Sequence, residues 1–122
     1  MEIVLHENNT TIIAEIISSG VVIANSEDIL TLAYKKEMQG VCCIILKKEH
    51  LHPDFYTLRT GLAGDILQKC VLYHLHVAIV GDFSDITSKS FQDLITESNR
   101  GRDIFFVSNI DTAKKMLSAV RT

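Results

Sequence analysis

Residues 41–46 (VCCIIL), 77–80 (VAIV) and 104–107 (IFFV) are apolar without alternation. A strand with one wetted face alternates apolar and polar side chains, so runs of this kind predict strands buried on both faces, as in a parallel sheet. Parallel neighbours cannot be joined by a tight turn. Each pair needs a crossover, usually a helix, and the intervening segments supply the pattern for one.

Asn25 or Ser26 offers an N-cap, Glu27 and Asp28 suit the positive end of a helix, and Ile29, Leu32 and Ala33 form its stripe up to Gly40. Pro53 suits a first helical position, and Phe55, Leu58, Leu62, Ile66, Cys70 and Tyr73 then recur at helical spacing, predicting one helix over 53–73. Thr87 or Ser88 caps a helix carrying Phe91, Leu94 and Ile95 that ends near Gly101, and Asp111 caps a last one with Ala113, Met116, Leu117 and Val120. Before all of these, residues 3–5 and 11–17 flank the polar stretch Glu7-Asn8-Asn9-Thr10 as a β-hairpin, which residues 21–24 extend or follow. The order is ββαβαβαβα: an α/β fold with a mostly parallel central sheet, an N-terminal hairpin and flanking helices.

No linker or repeat interrupts these 122 residues, which predicts a single domain over 1–122 with enough apolar content, 47%, to bury a core unaided. The formal charge is −3, with no basic cluster beyond Lys47-Lys48 and Lys114-Lys115, which argues against nucleic acid as a partner. The longest apolar run is far short of a membrane span, and the N-terminus lacks a signal-peptide pattern, so the expected location is the cytoplasm, with no membrane partner. Cys42 and Cys43 are neighbours in a strand and point to opposite faces, Cys70 lies in a helical stripe, and there is no CxxC. The three are expected as reduced core residues. His50-x-His52 and His74-x-His76 lack a third ligand at useful spacing and are read as exposed loop histidines. No metal or cofactor is therefore expected.

Residues 55–69 (FYTLRTGLAGDILQK) and 77–99 (VAIVGDFSDITSKSFQDLITESN) resemble an uncharacterised bacterial domain-of-unknown-function family, through the runs TGLAGDILQK, AIVGDFS, TSKS and TESN. That resemblance carries no activity. The order of elements also looks like the STAS fold of anti-sigma-factor antagonists, regulators that are phosphorylated at a serine or threonine within a motif like Asp-Ser-Ser-Gly-Leu. Aligned on Gly61-Leu62, Thr60 and Arg59 fall on the two hydroxyl positions and Leu58 on the acid. Arg59 and Leu58 depart from that pattern.

Ligands of open α/β sheets meet the loops at the carboxyl ends of the strands. This points to Asp82 and Ser84 just past a buried strand, and to Ser108 after the last one. Ser88 and Lys89, at a helix start, could hold an anion through free amides and an ammonium group, or Ser88 could simply cap the helix. No GxSxG elbow or accessible thiol suggests nucleophilic catalysis, which leaves only an unfamiliar arrangement such as Asp82, Lys89 and Glu97. Gly61 and Gly64 fall outside the apolar stripe of the 53–73 helix, where alanine would be favoured by about 1 kcal/mol each. Together with Leu67 and Leu72 they suggest close approach by another element, near Arg59 and Thr60.

The sequence thus predicts a small cytoplasmic STAS-like regulatory or protein-interaction domain without catalysis of its own, acting on a protein partner or on a second copy of itself. The alternative is a binder of a small anionic ligand, or an enzyme acting on one, at the carboxyl ends of the strands.

Overall fold

A computed structural model describes residues 1–120. The chain runs through strands β1 (Glu2–Asn8) and β2 (Thr11–Ile17), helix α1 (Ser26–Ala33), strand β3 (Cys43–Lys47), helix α2 (Leu62–Leu72), strand β4 (His76–Val80), helix α3 (Lys89–Arg100), strand β5 (Ile104–Val107) and helix α4 (Ile110–Ala119). The strands form one sheet in the order β1-β2-β3-β4-β5, antiparallel between β1 and β2 and parallel thereafter. The architecture expected from the apolar runs is therefore present.

Sequential order decides how the sheet is covered. Crossovers between adjacent parallel strands share one hand, so successive helices fall on the same face. Ile29 and Leu32 of α1, Ala63, Ile66 and Cys70 of α2, and Phe91 of α3 all join one core with Ile44, Leu46, Val77, Ile79, Ile104 and Phe106. The opposite face, with Ile13, Cys43, Ile45, Ala78, Phe105 and Val107, is covered by α4 through Ala113 and Leu117. Each parallel strand thus sends alternate side chains into two cores, which is why none of them alternates with polar residues.

The hairpin turns through Asn9 and Thr10 at φ 53° and 73°, the paired positive values of a type I′ turn whose twist suits two antiparallel strands. Asn25 caps α1, its side chain accepting from the Asp28 amide while Asp28 reaches back to Asn25 N–H. Ser88 caps α3.

Three local expectations change and one open alternative is decided. The 53–73 segment is not one helix: 3-10 turns at Pro53–Tyr56 and Leu58–Thr60 precede α2, and Gly61 joins them to it at φ 82°. Phe55 drives the break by entering the large core, with ring centroids 6.1 Å from Phe91 and 6.2 Å from Phe106, while Tyr56 hydroxyl donates to the Lys48 carbonyl oxygen at 2.7 Å. Helix α1 stops at Ala33, and a 3-10 turn at Lys36–Met38 drops Met38 into the core before Gly40 turns the chain at φ 81°. Residues 21–24 do not prolong the hairpin; Ile23 is fully buried and bridges to Leu51. Asn109, not Asp111, caps α4, accepting from the Thr112 amide at 2.7 Å.

The outer edge of β5 is closed by a side chain. Asn99 Oδ1 accepts from Phe106 N–H at 2.8 Å and its Nδ2 donates to the Phe106 carbonyl at 3.2 Å, imitating a neighbouring strand. Asn99→Ala strands both backbone groups of a buried residue and should lower the unfolding free energy by about 1–3 kcal/mol, read from the urea midpoint at unchanged slope.

Candidate functional site

A crevice opens in a sheet of this type where neighbouring strands send their helices to opposite faces, because the two loops diverge. Here that point lies at the carboxyl ends of β4, which leads to α3, and β5, which leads to α4. A crevice of about 640 Å³ occupies it, lined by Gly81, Asp82, Phe83, Ser108, Thr112 and Met116 among others.

The loop after β4 is built around its polar residues. A Cβ at Gly81 would stand 2.6 Å from Lys48 Cβ, so glycine allows the loops after β3 and β4 to touch. Asp82 is exposed, and its Oδ1 accepts the Ser84 amide at 2.9 Å. Hydrogen bonds from Ser84, and more weakly the charge of Lys48, hold the Asp82 carboxyl below its ordinary range, so it is ionised at neutral pH. Lys48 Nζ itself donates to the Asp82 carbonyl oxygen at 2.7 Å and to Asp85 Oδ1 at 2.6 Å, and lies 5.5 Å from the Phe83 ring centroid.

Of the residues singled out for a ligand, Asp82 and Ser108 come together. Ser84, Ser88 and Lys89 do not line the crevice. Ser88 Oγ accepts the Phe91 amide at 3.3 Å, and Lys89 is exposed and pairs with Asp93 one turn along α3 at 3.0 Å. Asn99 reaches the crevice wall with its side chain already committed to Phe106. Among the described residues the crevice therefore brings the Asp82 carboxylate together with the Ser108 and Thr112 hydroxyls, without a cation, a histidine or a thiol in its lining.

The residues singled out for an interaction separate in a different way. Arg59 and Thr60 are exposed in the turn before α2; Thr60 Oγ1 lies 2.6 Å from the Asp54 carbonyl and 2.8 Å from that of Thr57, and accepts the Leu62 amide at 3.3 Å. Gly61 is a left-handed junction and does not sit on a helix face, which removes the packing argument for it. Gly64 does lie on the exposed side of α2, one and two turns before Gln68 and Val71. Leu67 instead packs against the large core.

Leu72, which the sequence pattern set outside the stripe, belongs to an exposed apolar group at the helix ends. Helix α1 is capped at its carboxyl end by Tyr34, 72% exposed, and α2 closes with Val71 and Leu72 and the capping Tyr73, at 52%, 63% and 40%. The Tyr34 and Tyr73 rings meet edge to face, centroids 6.4 Å apart. Beside them lies a second cleft of about 640 Å³, lined by Leu30, Ala33, Met38, Val41 and Leu75, with Lys35 and Lys36 also on its wall. The available signal was Leu72, outside the apolar stripe, with Val71 beside it; Tyr73, expected in that stripe, is instead 40% exposed.

Two of the four paired histidines are structural rather than exposed. His50 is fully buried: Nδ1 accepts the Lys47 amide at 2.9 Å, so Nε2 carries the proton and donates to the Ser18 carbonyl at 2.9 Å. His76 is buried with Nδ1 against the Arg102 carbonyl. Among the described residues no three His, Cys, Asp or Glu side chains converge as metal ligands do, and no helix is long and apolar enough to cross a membrane. Cys43 and Cys70 are buried and Cys42, which precedes β3, is half-buried. Burial pushes the thiols of Cys43 and Cys70 up to about 12.

The fold and its surfaces define a small α/β domain with a sequential sheet, three helices on one face and one on the other. The chain belongs to the domain-of-unknown-function family DUF4180, whose family model matches residues 8–117. Neither curated proteins nor solved structures yield a match.

Raised thiol pKa values mean that above about pH 9 the unfolded chain loses protons that the folded chain keeps. Stability should therefore fall as the pH rises from about 9 towards 12, and Cys70→Ala should flatten the decline in urea titrations across that window. The two glycines should respond in opposite directions. Gly64→Ala meets nothing within 4 Å and should stabilise by about 0.5–1 kcal/mol, whereas Gly61→Ala forces a side chain to φ 82° and should destabilise by about 1 kcal/mol or more.

Proposed function

We propose that this domain is a STAS-like regulatory module of the cytoplasm that binds another protein through the apolar surface where α1 and α2 end, without chemistry of its own. The observation carrying this reading is the grouping of Tyr34, Val71, Leu72 and Tyr73 in the open beside an apolar-walled cleft. Contiguous exposed patches of this composition are uncommon on a chain that works alone, and tyrosines are frequent anchors of protein contacts. The cleft suits one or two apolar side chains of a partner segment, and Lys35 and Lys36 favour acidic residues beside them. Thr60 and Arg59 are at the other end of α2, about 16 Å away along an 11-residue helix, and have no contact in this proposal.

A second reading, a small ligand in the crevice between the β4 and β5 loops, rests on the divergence of those loops. The ionised Asp82 and the Ser108 hydroxyl would there suit a ligand presenting hydroxyl or amine donors, since Lys89, the cation first considered for an anion, is paired with Asp93, and Lys48 is held by Asp85.

A photoreactive phenylalanine analogue placed at Leu72, and in a second strain at Ser90, tests the partner reading in cells expressing the full chain. A discrete adduct from position 72, absent from position 90 and reduced about tenfold or more by Tyr34→Glu in the same chain, is the expected result. Identical adducts from both positions, or adducts indifferent to Tyr34→Glu, would overturn it.

A further inference from the structure

The sheet has two outer strands and only one is sealed. Asn99 occupies the free N–H and C=O of Phe106 on β5. On β1, the type I′ turn closes on the Asn8–Thr11 pair, so Asn8, His6, Val4 and Glu2 exchange hydrogen bonds with β2. The amides and carbonyls of Ile3, Leu5 and Glu7 therefore point outward, and among the described residues no loop, turn or helix backbone bonds to them. Leu5 is 52% exposed, and its diagonal neighbour across the hairpin, Ile12, is 44% exposed on the same face. A seven-residue edge left open in this way is a template for another strand.

We infer that β1 pairs antiparallel with β1 of a second copy of this chain, about a two-fold axis at Val4, giving one continuous ten-stranded sheet. An outward-facing residue must oppose an outward-facing residue, which allows long pairings centred on Val4 or on Leu5. Side-chain chemistry separates the two. Centred on Leu5, each Ile3 faces a Glu7 carboxylate. Centred on Val4, Ile3 faces Leu5, Val4 faces Val4, and Glu2 faces His6, each pair occurring twice by symmetry except the central one. His6 Nε2 already meets Glu15 Oε1 at 2.8 Å, so Glu2 of the second copy adds an acidic neighbour to a ring that already has one. The two Ile3–Leu5 pairs fall on the face that carries Leu5 and Ile12 and cover Leu5, while Val4–Val4 lies on the opposite face.

The sealed edge makes the assembly finite. A head-to-tail chain of copies would need β1 to pair with β5, whose Phe106 groups Asn99 already occupies, so the two-fold closed pair is the arrangement left to the open edge. This surface is separate from the one proposed for a partner at the helix ends, and the two stand or fall independently.

Sedimentation equilibrium of the purified full chain at tens of micromolar should give a mass twice the 13.6 kDa of one chain. Leu5→Pro removes one outward donor and no hydrogen bond to β2, so it should retain the far-ultraviolet circular dichroism of the parent and weaken self-association at least tenfold. Leu5→Lys, which keeps the backbone unchanged, should do the same. In a Cys42→Ser background, Val4→Cys should form an intermolecular disulfide under mild oxidation in preference to Leu5→Cys, because the axis places the two Val4 residues directly opposite. A parent that sediments as a monomer, a dimer that survives both Leu5 variants, or one that is lost with Tyr34→Glu while tolerating both would each overturn the proposal. So would crosslinking through Leu5→Cys in preference to Val4→Cys, which would place the axis elsewhere.

Discussion

Parallel strands that are apolar on both sides must be covered on both sides, and the sequential strand order makes this an uneven task. Three crossover helices necessarily gather on one face, where Phe55, Phe91 and Phe106 form the centre of the larger core. The other face depends on α4, whose Ala113 and Leu117 are fully buried. Asn8 strengthens that dependence by donating from Nδ2 to Ser118 Oγ at 2.7 Å, which ties the hairpin to α4 across nearly the whole chain. The reversal of side between α3 and α4 also creates the crevice at the ends of β4 and β5, so the same constraint that completes the core decides where a pocket can exist.

The polar residues that made parts of this sequence conspicuous mostly hold its backbone in place. Asp82 and Ser84 form the turn after β4, Ser88 starts α3, and Asn99 finishes the edge of β5. Lys48 joins two loops by its ammonium group, which also lies over the Tyr56 and Phe83 rings. His50 links the end of β3 to the chain after the hairpin. The side chains of Asp82, Ser88, Asn99, Lys48 and His50 thereby satisfy backbone groups that irregular segments would otherwise leave unpaired. Beside these engaged polar side chains, the described residues also expose large apolar ones.

That surface lies towards the amino ends of the parallel strands and along the outer hairpin, away from the crevice. Tyr34 and Tyr73 stand where two helices stop, and Leu5 and Ile12 stand on a strand pair with one neighbour missing. The two regions differ in kind. The helix ends offer side-chain anchors, whereas the hairpin offers unpaired backbone together with side chains that complement their own copies.

The sequence by itself determined the elements, because their evidence is local. Period-two and period-3.6 patterns, the hairpin turn, and the caps at Asn25 and Ser88 are set by residues only a few positions apart, and so are the strands β2 and β5, whose bounds match the expectation. Of the site, Asp82 and Ser108 were legible because a strand end places them in the loop layer. Only the tertiary structure decided the rest. The break before α2 follows from Phe55 reaching rings more than 30 positions away, His50 is buried because Ser18 supplies an acceptor there, and Asn99 acquires its role from an edge that exists only once β5 joins the sheet. Tyr34 and Tyr73 form one patch because α1 and α2 end side by side on the same face. Local periodicity encodes which side of an element is apolar, but which apolar sides remain uncovered is fixed by the elements that meet, and that is a property of the assembled chain.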